Sequence, residues 1–86
     1  MPKVFEEAGF IGRFYMADLD EPMHVHITKD HKEAKFWLAP VSCARNGGFS
    51  SRDLPRAEDL VNKYLEDIVI VWQKAEEARK NAGRAS

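Results

Sequence analysis

A strict alternation of apolar and polar residues in the segment MHVHIT, Met23 to Thr28, limits the possible folds of this chain more than any other feature. Successive side chains of a strand point to opposite faces of a sheet, so the segment predicts a half-buried strand. A second strand-like segment, Glu33 to Leu38, follows after the polar residues Lys29 to Lys32. Together the two segments predict a β-hairpin.

The hairpin turn is placed at Asp30 and His31, and this choice sets the register between the strands. Val25 then lies opposite Phe36, and His24 lies opposite Trp37. A slip of one residue would bury the histidines, so the register is well specified. One face of the hairpin is wholly apolar and is expected to form the core: Met23, Val25, Ile27, Ala34, Phe36 and Leu38.

The remaining segments complete a prediction of the fold. Lys3 to Glu6 is expected to be a short edge strand and Phe10 to Ala17 a longer one, with core residues Phe10, Phe14 and Met16. Gly12 is expected to mark a bulge or a close approach. Residues 18–22 are turn material, and residues 41–46 are either a short helical turn or an irregular strand.

After residue 49 the composition changes to helix-forming residues. Apolar residues between Ala57 and Ala75 recur at helical spacing, which predicts one long helix over about 51–80. A frayed tail is expected over 81–86, with Gly83 as the stop. We therefore predict an α+β fold in a single domain, 1–86. Its small antiparallel meander of three to four strands, within about 3–46, packs as one layer against the C-terminal helix as the other.

Composition excludes several classes of protein. A net charge of −1 and a pI of about 6.3 argue against a general polyanion binder. No apolar run approaches the roughly 18 residues of a membrane span, and MPKVFEEAGF lacks the apolar core of a signal peptide. Cys43 is the one cysteine and cannot form an internal disulfide. These features predict a cytoplasmic protein that does not contact the membrane, and its thin core favours a protein partner or a homo-oligomer.

The face of the sheet opposite the core holds the candidate functional residues, and we call it the histidine face. It is expected to be open to solvent, with two cations, two imidazoles, two large aromatic rings and no acid. His24 and His26 are the candidate catalytic residues, and the other four form a candidate binding face. The histidine face comprises Arg13, Tyr15, His24, His26, Lys35 and Trp37.

Two chemistries, besides a plain packing or hydrogen-bonding role, are compatible with His24 and His26, which project about 7 Å apart on one strand. As acid and base they could cleave RNA, with Lys35 or Arg13 stabilising the transition state. They could also bind a metal, but zinc needs a third ligand. His31 lies at the hairpin tip, and the acids of residues 18–21 are expected at the opposite end. We therefore assign no metal ligand and no cofactor.

The aromatic residues of the histidine face leave a further choice open. Tyr15 and Trp37 could stack on nucleic-acid bases, as in RNA-binding proteins that use a sheet surface. Exposed aromatic residues also mark protein interfaces. For a short chain of near-neutral pI, the protein interface is the preferred interpretation.

Several segments resemble the small bacterial family catalogued as domain of unknown function 4160. They are EPMHVH at 21–26, EAKFWL at 33–38, PV at 40–41, ARN at 44–46 and GFS at 48–50, with Leu54 and Trp72. The resemblance runs from Phe5 to about Trp72, and Met23 departs from it because relatives usually carry a second proline there. It transfers no catalytic residue. The positions that match the family motif are His24, His26, Lys35 and Trp37.

Members of that family are often encoded beside another small uncharacterised domain, in pairs that look like toxin–antitoxin modules. The resemblance therefore implies a small protein partner encoded nearby. Our first hypothesis is that the chain is the protein-interaction half of such a toxin–antitoxin-like pair. The alternatives are a metal-independent ribonuclease or RNA-binding module that uses the HVH pair, and a metal-binding protein. Whether the protein is an enzyme stays open at this point.

Overall fold

The structure is a computed structural model that describes residues 3–84, and the described chain forms five strands followed by two α-helices. A 3-10 helical segment, Met16–Asp20, separates the second and third strands. The elements are β1 (Lys3–Glu7), β2 (Phe10–Arg13), β3 (His24–Lys29), β4 (Lys32–Leu38), β5 (Val41–Gly47), α1 (Asp53–Lys63) and α2 (Leu65–Arg84).

The strands form one antiparallel sheet in the order β1-β2-β3-β4-β5, so the predicted α+β fold with an antiparallel meander is confirmed. The sheet has five strands, however, and not three to four. The strand that the sequence left ambiguous is β5, which follows a cis peptide bond between Ala39 and Pro40. Most of its side chains are exposed. Its backbone pairs with β4 without requiring the apolar alternation that identifies a half-buried strand.

The hairpin of β3 and β4 has the predicted register. His24 pairs with Trp37 and Val25 with Phe36. The turn falls at Asp30 and His31, where Asp30 has a φ of 57°. Because the register places alternate residues on the same face, the predicted core residues of the two strands, apart from the half-buried Met23, are buried: Val25, Ile27, Ala34, Phe36 and Leu38.

The main core lies between one face of this sheet and the helices, where Val61 and Ile68 pack against the buried strand residues. A second, smaller cluster consists of Phe14, Leu19 and Trp72, at the end of the sheet where β2 ends and β3 begins. α2 reaches this end because it extends past β1 to the 3-10 segment. The small cluster therefore joins α2 to the segment that precedes the histidines.

The single long helix expected over about 51–80 is wrong in two respects. The helix is broken at Tyr64, whose backbone has φ −102° and ψ 14°. The Tyr64 ring stacks on Phe5 at 4.6 Å, and its hydroxyl donates a hydrogen bond to Glu7, so the break coincides with attachment to β1. α1 contacts β4 and β5, whereas α2 contacts β1 and the 3-10 segment.

α2 also continues to Arg84, through the expected stop at Gly83 and most of the predicted frayed tail. The last two residues of that tail, 85–86, lie outside the described part of the chain. Within residues 3–84, neither helix combines the length and apolarity needed to cross a membrane.

The predicted strand Phe10 to Ala17 is too long, because β2 ends at Arg13. The side chain of Asp18 accepts a hydrogen bond from the backbone N–H of Tyr15 at 2.8 Å, which stabilises a turn at this point instead of a strand. Met16 consequently leaves the expected core position and is 39% exposed. The chain turns back here, and Asp18 approaches the histidine face.

Candidate functional site

Asp18, His24 and His26 form a compact cluster at the end of β3. The two histidines come from β3, where alternation places them on one face, and Asp18 comes from the 3-10 segment. Asp18 Oδ1 lies 3.2 Å from His24 Nε2, and Asp18 Oδ2 lies 3.0 Å from His26 Nε2. Each oxygen of one carboxylate therefore faces a different imidazole ring.

The protonation of His24 follows from its second ring nitrogen. Nδ1 lies 2.9 Å from the carbonyl oxygen of Pro22 and must donate a proton to it, because a carbonyl oxygen only accepts. In the neutral ring Nε2 then presents a lone pair towards the Asp18 carboxylate. This nitrogen is buried and has no hydrogen-bond partner. Two electron-rich atoms at this distance require a cation between them, either a proton or a metal ion.

His26 also lies between two carboxylate oxygens. Its Nδ1 lies 3.2 Å from Glu33 Oε2 and its Nε2 lies 3.0 Å from Asp18 Oδ2, and both contacts have hydrogen-bond geometry. An ionised carboxylate only accepts hydrogen bonds, so each ring nitrogen that carries a proton donates to the carboxylate it faces. Both histidines thus use Nδ1 to bond an outer oxygen and direct Nε2 to the same carboxylate.

Burial and charge further define this cluster. The side chain of His24 has no exposed surface, while those of His26 and Asp18 are 12% and 14% exposed. Partial burial is the strongest single influence on the pKa of Asp18 and raises it. The hydrogen bond from the Tyr15 backbone and the nearby His26 and His24 together outweigh it, so the pKa lies below its usual value. Asp18 is therefore an anion at neutral pH.

The spacing of the three donor atoms suits a transition-metal ion. The candidate ligand atoms all lie within 4.8 Å of one another. Zinc bonds nitrogen and oxygen at about 2.0–2.1 Å, which places tetrahedral donors roughly 3.3–3.4 Å apart. The contacts of 3.2 and 3.0 Å are close to this spacing, and they are made by two different oxygens of the Asp18 carboxylate, one towards each histidine.

The structure brings the predicted residues of the histidine face together. Arg13 pairs directly with His26 across β2 and β3. The Tyr15 ring is 5.7 Å from the His26 ring, and Trp37 is 5.7 Å from His24. Lys35 completes the group, with its ammonium 4.5 Å from the centre of the Trp37 ring.

Two expectations about the histidine face are wrong. It was expected to contain no acid, but Asp18 and Glu33 contact the histidines, and Glu21 accepts a hydrogen bond from Lys35 at 2.7 Å. It was also expected to be open, but His24 is fully buried, with the Trp72 ring of α2 5.4 Å away. Both differences arise because the 3-10 segment and α2 fold over this end of the sheet.

Asp18 is the member of the candidate site that the sequence did not predict. The residues 18–22 were interpreted only as a turn and were placed at the far end of the strand. One local signal was present, because Asp is a residue that caps turns by accepting backbone N–H groups. A turn closed at Tyr15 returns the chain towards β3, which starts only six positions after Asp18.

The chain is thus a small α+β protein in which a five-stranded meander and two helices surround a cluster of two histidines and one carboxylate. The chain belongs to the family described as domain of unknown function (DUF4160), whose model matches residues 9–73. The matched segment contains the whole Asp18, His24 and His26 cluster as well as Trp72. No curated protein and no solved structure is significantly similar to this chain.

Proposed function

We propose that this protein binds a divalent transition-metal ion through Asp18 Oδ and the Nε2 atoms of His24 and His26. The observation that carries this proposal is the unpartnered, buried Nε2 of His24, which faces an anionic carboxylate at 3.2 Å. A bound cation would satisfy both atoms at once. This ligand set also corresponds to the two-histidine, one-carboxylate arrangement that holds zinc or non-haem iron in other proteins.

The outer contacts of the histidines support the same proposal. Histidines that bind metals usually donate their other ring N–H to a carboxylate or a backbone carbonyl, which orients the ring and increases its basicity. His24 has this contact with the Pro22 carbonyl, and His26 has it with Glu33. Three protein ligands leave a coordination position for water or a substrate, which is the arrangement of catalytic rather than closed structural sites.

The ribonuclease alternative receives less support from the geometry. A ribonuclease that uses one histidine as base and the other as acid needs both rings to reach the RNA. His24 has no exposed side-chain surface, so only His26 could contact a strand laid on this face. We therefore prefer metal binding for the histidine pair, and binding of RNA to the rest of the face stays a prediction.

Titration of the chelator-treated protein with cobalt(II) tests the proposal. We expect one ion per chain, with visible absorption bands from a site of four or five ligands, and zinc should displace the cobalt. Asp18→Asn and His26→Asn should each weaken binding at least tenfold. His31→Asn is the matched control, because His31 is an exposed histidine at the hairpin tip and should bind as the wild type does.

Metal binding should also stabilise the fold, because the site links the 3-10 segment to β3. Free metal at 100 times the dissociation constant would add about 2.7 kcal/mol to the free energy of unfolding. For a domain of this size, that corresponds to a rise in Tm of roughly 11–22 °C. A protein with no saturable cobalt spectrum and no metal-dependent change in Tm would overturn the proposal.

We also propose that the chain is the protein-interaction half of a toxin–antitoxin-like pair, and that its partner adds a strand to β5. β5 is an edge strand of the sheet, and its side chains from Ser42 to Gly47 are exposed. An unpaired strand edge offers backbone N–H and C=O groups that an extended partner segment can pair with.

Co-purification with the product of the neighbouring gene tests this second proposal. Ala44→Lys places a charge in the exposed part of β5 and should weaken the complex. Ala78→Lys makes the same change on the exposed surface of α2 and should leave the complex intact. Failure to obtain a stable complex with the wild-type chain would count against a partner, and equal effects of the two variants would count against β5 as the contact.

A further inference from the structure

We propose that the ligand completing the Asp18, His24 and His26 site is a small oxyanion, of the phosphate or carboxylate type, held between the metal ion and the guanidinium of Arg13. This inference rests on the proposed metal site and identifies the class of molecule that the site would accept. Three features of the histidine face carry it: the position of Arg13, the balance of charge and the side from which the site is accessible.

The position of Arg13 is set by strand pairing. Arg13 is the last residue of β2 and lies directly opposite His26 of β3. Directly opposed residues of antiparallel strands project to the same face, with their Cβ atoms about 4.5–5.5 Å apart. The side chain of Arg13 therefore starts beside a metal ligand, on the side of the cluster that is not fully buried.

Arg13 also has an unsatisfied donor. Its Nε is buried and has no hydrogen-bond partner among the described residues. A buried donor without a partner carries a desolvation cost, and Nε together with a terminal guanidinium nitrogen forms a fork that fits two oxygens of a carboxylate or a phosphate. An oxyanion at this place would satisfy the donor.

The charges around the site lead to the same class of ligand. A divalent metal ion would be neutralised by Asp18 together with Glu33, which bonds His26. Lys35 is already paired with Glu21 at 2.7 Å. The charge of Arg13 helps to lower the pKa of Glu6, but the Glu6 carboxylate is itself paired with Lys3 at 2.6 Å. Among the described residues Arg13 itself forms no ion pair, although its charge also acts on Glu6, so an anion bound beside Arg13 would add an attractive interaction.

The accessible side of the cluster is the side of His26, which is the strand partner of Arg13. His24 is closed in by Trp37 and Trp72, whereas His26 and Asp18 retain exposed surface. Next to His26 lies the ring of Tyr15, which is 42% exposed. On this proposal a ligand enters over His26, the strand partner of Arg13, and an attached organic group lies against the exposed ring of Tyr15.

The test uses the cobalt-loaded full-length protein and its visible absorption spectrum. Inorganic phosphate, phenyl phosphate and acetate are titrated separately, with chloride as the control anion. Each oxyanion should change the cobalt bands in a saturable way, and chloride at the same ionic strength should not. Tighter binding of phenyl phosphate than of inorganic phosphate would identify an organic phosphate as the ligand, and equal binding would identify the free anion.

Arg13→Gln removes the guanidinium charge, and it distinguishes a role of Arg13 in binding the oxyanion from a purely structural role. We expect it to weaken phosphate binding roughly 10-fold or more, the typical effect of a lost charge-assisted hydrogen bond. In chloride buffer the same variant should bind cobalt more tightly than the wild type, because a repulsive charge has been removed. A structural role would weaken both equilibria. Arg45→Gln is the matched control, since Arg45 is an exposed arginine 3.9 Å from Glu33 and should change phosphate binding less than twofold.

The outcomes distinguish this inference from the proposed function. Absence of cobalt binding would remove the metal site and the inference together. Cobalt binding with no spectral response to any oxyanion would overturn the inference and leave the metal site standing. Phosphate binding by Arg13→Gln equal to that of the wild type would overturn the role of Arg13. If Arg13→Gln does not fold, Arg13→Lys replaces it, and we expect cobalt binding near that of the wild type with weaker phosphate binding, because the charge is kept and the fork is lost.

Discussion

Substitution of Gly12 by alanine should destabilise the protein, because the ring of Phe5 occupies the space that a Cβ atom would need. Gly12 pairs with Phe5 across β1 and β2. A Cβ on Gly12 would lie 2.2 Å from one carbon of that ring and 2.6 and 2.7 Å from two others. Carbon atoms in contact are normally about 3.5–4.0 Å apart, so the ring would have to retreat by more than about 1 Å.

The ring of Phe5 has little freedom to retreat. It is buried and stacks almost parallel on Tyr64, at 4.6 Å between ring centres and 9° between planes. Overpacking of this kind costs about 1–3 kcal/mol, and loss of the aromatic contact adds about 0.5–1.5 kcal/mol. Alanine offsets about 0.4–1 kcal/mol of this loss, because it lowers the conformational entropy of the unfolded chain. The expected net loss is about 0.5–4 kcal/mol, and each kcal/mol corresponds to a fall in Tm of roughly 4–8 °C.

Urea and thermal unfolding, followed by far-ultraviolet circular dichroism, measure this loss. Phe5→Leu supplies the test of the mechanism, because it removes the ring from the position of the new methyl group. In that background Gly12→Ala should cost less than about 0.5 kcal/mol, and the difference is a coupling energy between the two sites. An equal cost in both backgrounds would refute the clash with the ring as its cause.

Three further outcomes follow from the packing and the ion pairs. Trp72→Leu should lower the free energy of unfolding by about 2–4 kcal/mol, because it leaves a cavity in the cluster of Phe14, Leu19 and Trp72. It should also weaken cobalt binding by uncovering His24, and an unchanged cobalt affinity would contradict this effect. Ile68→Ala should cost about 2–5 kcal/mol, since the side chain is fully buried, and Ile70→Ala at an exposed position of the same helix should cost far less. Glu7→Gln should destabilise the fold more at pH 7 than at pH 3. The hydrogen bond from Lys63 holds the pKa of Glu7 below its usual 4.5, so this stabilisation is present above that value and is lost as the pH falls through the lower folded-state pKa. Urea unfolding at both pH values checks the sign, and an equal difference at the two would be incompatible with it.

The sequence predicted those parts of the fold that depend only on the local pattern of apolar and polar residues. Alternation from Met23 to Thr28 determined the face of each side chain and therefore the hairpin register. The expectation that Gly12 marks a close approach was correct, although the partner, Phe5, could not be identified. β5 was left undecided between a helical turn and an irregular strand, because an exposed edge strand has no apolar alternation and its backbone pairing is independent of side-chain type.

The break at Tyr64 could not be inferred from the helical spacing, which continues through it. The backbone hydrogen bonds also continue, from Tyr64 N to Leu60 O and from Ile68 N to Tyr64 O. The cause is a long-range contact, because Tyr64 is attached to Phe5 and Glu7 of β1. Apolar periodicity shows which side of a helix is buried, but it does not show whether the helix changes direction where it packs against the sheet.

The candidate site likewise has one part that the sequence determined and another that only the tertiary structure decided. The sequence by itself determined that His24 and His26 share one face with Arg13, Lys35 and Trp37, because alternation is a local property of a strand. Only the tertiary structure decided that this face is partly covered and that it contains an acid. Asp18 reaches the histidines through a 3-10 turn, and Trp72 reaches them from the far end of the chain. Such contacts between distant segments depend on how the elements pack, and they convert an open pair of histidines into the cluster for which we propose metal binding.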